Sequence, residues 1–358
     1  MNPKINFITF QKEKKKEFEA LTEELKEKVK KIIKNKEQAI FFINRKALAT
    51  TVLCQECGFI FQCPNCEVPL VLHHFPQERK LICHHCGQIQ PAPSFCPSCR
   101  SHKLKSLGIG TERVALEIKK FDPSLKIQLL FSEENCVKII EDFNQNKYQF
   151  LVATEAIFKP QVKKTPYIIV ISIDNLLFLP DYKSEERAFL ILKKLLSLTQ
   201  KELIIQTINS SNRIFKYLPL KNEEFFKEEM KWRKKHLLPP YCQIIKIIFE
   251  SLSLKKALEQ AQKAQKIIEK KIFQQNLENK FFISSPVPAF ILKEKKKFRF
   301  YLFLKMKYEN PPLENLSFNY GLDILSPLPE PEELKLRNFL LEGLDKKFKI
   351  NIDPEDLL

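Results

Sequence analysis

Eight of the ten cysteines in this chain fall into four Cys-X-X-Cys pairs: Cys54/Cys57, Cys63/Cys66, Cys83/Cys86 and Cys96/Cys99. Such a turn directs two thiolates at one tetrahedral ion, and two turns close an all-thiolate zinc site. Four turns therefore predict two structural Zn²⁺ ions. Between the second and third pairs, Val68 to His74, Phe75 to Glu78 and Arg79 to Ile82 read as strand, turn and strand. That hairpin brings Cys63, Cys66, Cys83 and Cys86 to its base. It leaves Cys54, Cys57, Cys96 and Cys99 to close a second site around the first. Gly58 and Gly87 directly follow the knuckles and suit a backbone with positive φ.

A disulfide framework would need an oxidising compartment. The chain opens Met1-Asn2-Pro3-Lys4-Ile5 without an apolar signal segment, so zinc and the cytoplasm are the expectation. With eight thiols available, His84 and His85 read as bystanders. Cys136 and Cys242 lie in apolar surroundings and are expected to be buried.

The formal net charge of +17 favours a polyanionic partner. Abundant Lys, Ile, Phe and Asn also fit a biased codon usage. No run of eighteen apolar residues predicts a membrane span. Only 6 glycines are present, and no Gly-X-X-X-X-Gly-Lys-Ser/Thr phosphate loop occurs.

From Lys12 to Glu37 a helix is expected, with Phe18, Leu21, Leu25, Val29, Ile32 and Ile33 on its apolar face. A buried strand, Ala39 to Ile43, precedes the cysteines. After them, strands at Leu104–Leu107, Lys126–Phe131, Phe150–Ala153, Tyr167–Ile173 and Glu202–Thr207 alternate with helices at Thr111–Phe121, Val137–Phe143 and Ser184–Leu198. Alternation of this kind predicts an α/β fold on a parallel sheet. A helix from Glu223 to His236 ends at Leu237-Leu238-Pro239-Pro240-Tyr241. Beyond it come a strand at Ile244–Phe249, a helix from Leu254 to Gln274 and a basic strand, Lys297 to Lys307, in a smaller α+β unit. The expected divisions are 1–53 with 101–222 for the α/β domain, 54–100 for the zinc module, 223–243 for a connector and 244–358 for the last unit.

These residues resemble the primosomal protein N′ (PriA) family of replication-restart DNA helicases, over most of this chain but only the C-terminal half of the family. The resemblance is carried by Asn44-Arg45-Lys46 leading to Cys54-X-X-Cys57-Gly58, by the four pairs, and by Pro97-Ser98-Cys99 leading to Gly108-Ile109-Gly110-Thr111-Glu112. Leu177-Phe178 with Asp181, Glu186-Arg187, Leu238-Pro239-Pro240-Tyr241, Pro286-Val287-Pro288-Ala289 with Arg299, and Ile352-Asp353-Pro354 continue it. It implies a RecA-like second helicase lobe carrying a two-zinc ribbon module, then a small α+β DNA-binding domain.

The sequence also departs from the family. No stretch matches its N-terminal DNA-binding domains or its first helicase lobe. The family's Gly-Thr-Gln and downstream Lys-Gly stand here as Ala153-Thr154-Glu155 and Lys159-Pro160. Its Gly-Arg-Ala-Gly-Arg is replaced by Ser197-Leu198-Thr199-Gln200-Lys201, without an arginine finger. Phosphoryl transfer needs a phosphate cradle, Mg²⁺ ligands and a cation against the developing charge. Autonomous ATP hydrolysis is therefore not expected, and no catalytic or nucleotide-binding residues are assigned.

The leading reading is a PriA-like protein that binds branched or single-stranded DNA and presents its zinc module to primosome or other replication proteins. Arg45, Lys46, Lys103, Lys105, Lys295, Lys296, Lys297 and Arg299 are the candidate phosphate contacts. Phe298, Phe300 and Tyr301 interleave with the last of these, although alternating strand positions more simply bury one face. Two other readings stay open: the second-lobe half of a split ATP-dependent helicase, and a zinc-ribbon interaction protein of transcription or RNA metabolism. Asp174, Asp181, Glu185 and Glu186 suggest paired carboxylates, but an acidic first helical turn accounts for the last two more simply.

Overall fold

The computed structural model describes residues 3–9, 20–44, 51–54, 56–57, 59, 61–64, 70–74, 79–82, 88–107, 111–132, 134–177, 179, 181–309, 330–345 and 348–354. Strand β1 (Lys4–Thr9) is followed by helix α1 (Glu23–Lys34) and strand β2 (Ala39–Ile43). The Thr22 hydroxyl caps α1 by accepting from the Leu25 amide. The helix is thus shorter than its periodicity suggested, and the expected first turns fall largely at 10–19, outside the described residues.

The cysteine region contributes β3 (Thr51–Cys54), β4 (Val71–His74), β5 (Arg79–Ile82), β6 (Ile89–Pro91) and β7 (Leu104–Leu107). They form one antiparallel sheet in the order β6-β5-β4-β3-β7. The expected hairpin is present, with Val71 opposite Ile82 and His74 opposite Arg79. Leu104–Leu107, expected in the α/β alternation, instead pairs antiparallel with Thr51–Cys54. The first and last strands of the region are thus hydrogen-bonded neighbours, so the sheet extends beyond 54–100 on both sides.

The α/β body resumes with α2 (Thr111–Lys119), β8 (Ile127–Leu130), α3 (Cys136–Asn144), β9 (Phe150–Ala153), β10 (Thr165–Ser172), the short α4 (Asp174–Leu177), α5 (Ser184–Leu198), β11 (Thr199–Thr207), α6 (Arg213–Tyr217) and α7 (Asn222–Lys235). Its sheet runs β1-β11-β10-β2-β9-β8, and every pairing is parallel. Strand β2 is buried along its whole length, as an interior strand covered on both faces must be. Alternate residues serve opposite layers. Ile40, Phe42, Leu203 and Ile205 pack with α3, α5, α6 and α7, while Ala39, Phe41, Phe150 and Ile204 pack with α1 and α2. Strand β1 was not expected: it is a six-residue edge strand whose only partner is the distant β11.

The last unit comprises β12 (Cys242–Ser251), α8 (Leu254–Gln274), β13 (Phe281–Ile283), β14 (Val287–Glu294), β15 (Lys297–Lys307), α9 (Pro331–Leu341) and β16 (Lys349–Ile352). Its antiparallel sheet has β15 and β12 at the centre, β16 on one edge, and β13 and β14 sharing the other. One face, with Ile245, Ile247, Phe249, Leu302 and Leu304, is covered by Ala257, Ala261 and Ile268 of α8 and Leu340 of α9. On the other face Ile244 and Phe303 meet Tyr182, Leu237 and Leu238, and so bind this unit to the α/β body. Among the described residues no helix is long and apolar enough to cross a membrane.

Candidate functional site

The cysteine sheet has a small apolar centre of Val52, Phe61, Cys63, Leu70 and Leu81, flanked by Phe59 and Leu104. A core of this size needs a staple. The knuckles supply one. The Cys54 amide donates to the Phe59 carbonyl at 2.8 Å, and the Cys96 amide donates to that of Ser101 at 2.8 Å. These two turns bring together the Sγ atoms of Cys54, Cys57, Cys96 and Cys99, all within 4.8 Å of one another. Cys54 and Cys99 are 3.5 Å apart, and Cys57 and Cys96 are 3.6 Å apart. A tetrahedral zinc thiolate, with Zn–S near 2.3 Å, requires sulfurs about 3.8 Å apart. The four sulfurs therefore fit a Zn²⁺ ion. Cys54 and Cys96 are buried, while Cys57 and Cys99 are exposed.

Electrostatics point the same way. The Cys57 backbone amide draws the Cys54 thiol down to about 7. The Ser101 amide pulls Cys99 down as well, but local loss of solvent and the hydrogen-bonded sulfurs of Cys57, Cys54 and Cys96 outweigh it and push that thiol up to about 12. Four thiols this close cannot all ionise unless a cation compensates them. Arg100 directly follows the second knuckle with φ +62°, the position that Gly58 occupies after the first knuckle in sequence. Its guanidinium lies 5.6 Å from the Phe95 ring centroid.

Of the other expected ligands, Cys63 is buried at 1% exposure. Cys66, Cys83 and Cys86 lie outside the described residues, as do His84 and His85.

The described candidate phosphate contacts fall in two units, the cysteine sheet and the last antiparallel sheet. Arg45 and Lys46 lie outside the described residues. Lys103 is exposed but bonded to Glu56 of the first knuckle at 2.6 Å, a partner that sequence reading missed. Lys105 sits in β7 opposite Leu53. Lys295 and Lys296 are exposed and form the β14–β15 turn with φ +48° and +68°. Lys297 lies 3.9 Å from Glu250. Arg299 is mostly buried between Glu250, at 3.3 Å, and Glu294. Glu250 also meets Lys349 at 3.5 Å. One carboxylate thus gathers three cations, and Arg299 serves the sheet. Phe300 and Tyr301 are buried, and Phe298 packs against the domain core. Phe298 and Phe300 pack on the face that α8 covers, and Tyr301 packs on the opposite face with Ile248 and Ala289, so burial on the two faces accounts for these rings.

At the α/β body's edge the acidic residues do not pair with one another. Asp174 accepts from the Thr207 hydroxyl at 2.6 Å and from the Ile208 amide at 3.1 Å. Asp181 binds Arg187 at 3.1 Å. Glu185 and Glu229 bind Arg213, the latter at 2.7 Å. Glu186 and Glu229 also hold Arg233, at 2.5 and 2.9 Å, and Arg233 is 1% exposed. Lys201, where the family has its last arginine motif, is paired with Glu37.

Residues 63–91 match the model of the PriA DNA helicase Cys-rich region domain. The replication restart protein PriA of Borreliella burgdorferi is 35% identical over 248 residues, covering 66% of this chain and 37% of that protein. PriA of Bacillus subtilis is 29% identical over 252 residues, 67% of this chain and 31% of the relative. PriA of Synechocystis is 27% identical over 283 residues, 75% and 34% respectively. The matched part spans about a third of the length of these relatives. Over about two-thirds of its length, the chain is thus homologous to a part of replication restart protein PriA and carries that family's Cys-rich zinc region.

Proposed function

We propose that this chain acts in replication restart as a PriA-like protein that holds two structural Zn²⁺ ions, binds branched or single-stranded DNA and does not hydrolyse ATP by itself. The observation that carries the reading is the convergence of Cys54, Cys57, Cys96 and Cys99 around a segment matched by the PriA Cys-rich model. The first ion is held by those four thiolates. Cys63, Cys66, Cys83 and Cys86 hold the second, a set supported by the β4–β5 register, in which Ile82, directly preceding Cys83 in sequence, pairs with Val71. Both ions fix the module's shape.

DNA is recognised through phosphates, by Arg45, Lys46, Lys103, Lys105 and Lys295 to Lys297, with little preference for sequence. Replication proteins dock on the zinc module, in the cytoplasm with the chromosome. The inability to hydrolyse ATP is supported by the replaced motifs and by the engagement of Arg187, Arg213 and Arg233 with carboxylates. An arginine neutralised by its own chain is a poor donor to a phosphoryl group. The working divisions are 1–53 with 101–222, 54–100, 223–243 and 244–358.

The test is metal analysis of the purified chain with fork binding across a salt series and an ATPase assay on the same DNA. Two zinc equivalents, salt-sensitive binding and no turnover support the reading. DNA-stimulated hydrolysis by the chain alone overturns it.

A further inference from the structure

We infer that the outward face of α8 is a docking surface for the phosphate backbone of duplex DNA. The inference rests on the DNA-binding reading above and adds to it a surface that none of the candidate contacts includes. The buried side of this helix, with Ala257, Ala261, Ala264, Ile268 and Ile272, packs on the sheet. Diametrically opposite, at about 100° per residue, Lys256, Glu259, Lys263, Lys266 and Lys270 fall within an arc of about 80°. All five are exposed. At about 1.5 Å per residue the row is about 21 Å long.

Several lysines on α1 and α7 are paired with acids, unlike those of this row. On α1, Lys26 and Lys30 bond to Glu23 and Glu27 at 2.9 and 2.6 Å, and Lys28 reaches Glu202 at 3.0 Å. On α7, Lys231 bonds to Glu228 at 2.8 Å. On α8 the one acid in the row, Glu259, is 3.9 Å from Lys255, outside it. Among the described residues Lys256, Lys263, Lys266 and Lys270 make no ion pair. A linear row of four lysines against one acid keeps a net positive charge, complementary to a rod that carries one negative charge per about 1.7 Å.

The absence of rings selects the duplex. Surfaces that hold single strands interleave aromatic side chains for base stacking, and α8 has no aromatic residue before Phe273. The row also begins beside the basic hairpin turn, because Ser251, just before α8, pairs with Phe298, just after Lys295 and Lys296. One end of this unit therefore presents both cationic features.

The test compares the intact zinc-loaded chain with a variant carrying Lys256→Gln, Lys263→Gln, Lys266→Gln and Lys270→Gln. The control carries the same change at Lys30, Lys147, Lys201 and Lys231, which are about as exposed but ion-paired. Binding to a fluorescent duplex is measured from 50 to 300 mM salt (about sixfold), with circular dichroism verifying the fold. The α8 variant should lose at least about tenfold in affinity, and its log–log salt slope should shrink by about 3 to 4. The control should lose little. An unchanged slope in the α8 variant overturns the inference, as does an equal loss in the control. Competition by oligo-dT stronger than by duplex overturns the assignment to duplex. If the unaltered chain binds no DNA at low salt, the DNA-binding reading itself fails, a different outcome from loss confined to α8.

Discussion

Cys54 and Cys99 lie 45 positions apart in sequence, yet their sulfurs stand 3.5 Å from each other. Only a group that holds both can make that proximity durable in a region with so small an apolar centre. Cys54→Ser should therefore lower bound zinc from two equivalents to one, measured by mass spectrometry under native conditions. The parallel sheet should persist, because its pairings involve no cysteine. Loss of all metal, or of none, would contradict separate sites.

Burial pushes the Cys242 thiol up to about 12, from an ordinary value of 9.0. The thiol donates to the Leu237 carbonyl at 3.2 Å, which requires its proton. The native state thus prefers the neutral form. Its contribution to stability is complete below about pH 9 and is lost as pH rises towards 12. Iodoacetamide at pH 8 should leave Cys242 unmodified until the chain is unfolded, as peptide mapping would reveal. Cys242→Ala should make the loss of stability above pH 9 shallower.

Arg233 is enclosed by Glu186 and Glu229 and reaches the Pro239 carbonyl at 3.3 Å. Removing the cation leaves two acids buried. Arg233→Ala should cost about 3–5 kcal/mol in urea unfolding. Adding Glu186→Gln and Glu229→Gln should recover part of that loss, because the penalty comes from uncompensated charge.

Asp174 satisfies the Thr207 hydroxyl and the Ile208 amide where β11 leaves the sheet. Asp174→Ala should destabilise the chain by about 1–3 kcal/mol by stranding those donors. Thermal melting of the single and Thr207→Val double variants would test this, since the double change should cost less than the sum of the two.

The interior strands were legible because Ala39-Ile40-Phe41-Phe42-Ile43 has no polar residue to interrupt it, and two-sided burial demands that. The knuckles were legible because two-residue spacing is a geometric requirement of a shared ion. Strand β1 was not, since an edge strand is half wet and its partner, β11, lies some two hundred residues away. Nor did sequence reveal that Leu104–Leu107 belongs with Thr51–Cys54. Local propensity specifies a strand, whereas its neighbour is chosen by closure of the whole sheet. Nor, for the same reason, did sequence reveal the partners of Lys103 and Arg299. A basic side chain advertises its charge in sequence, but Glu56 and Glu250, which offset it, become neighbours only after folding.

Because β3 and β7 run side by side in opposite directions, the chain departs for the cysteine region and returns from it through a single doorway. A graft attached in this way can be lengthened, trimmed or exchanged without re-threading the parallel sheet behind it. Whatever the zinc-bearing segment meets, it can be reshaped for that encounter while the body that carries it stays the same.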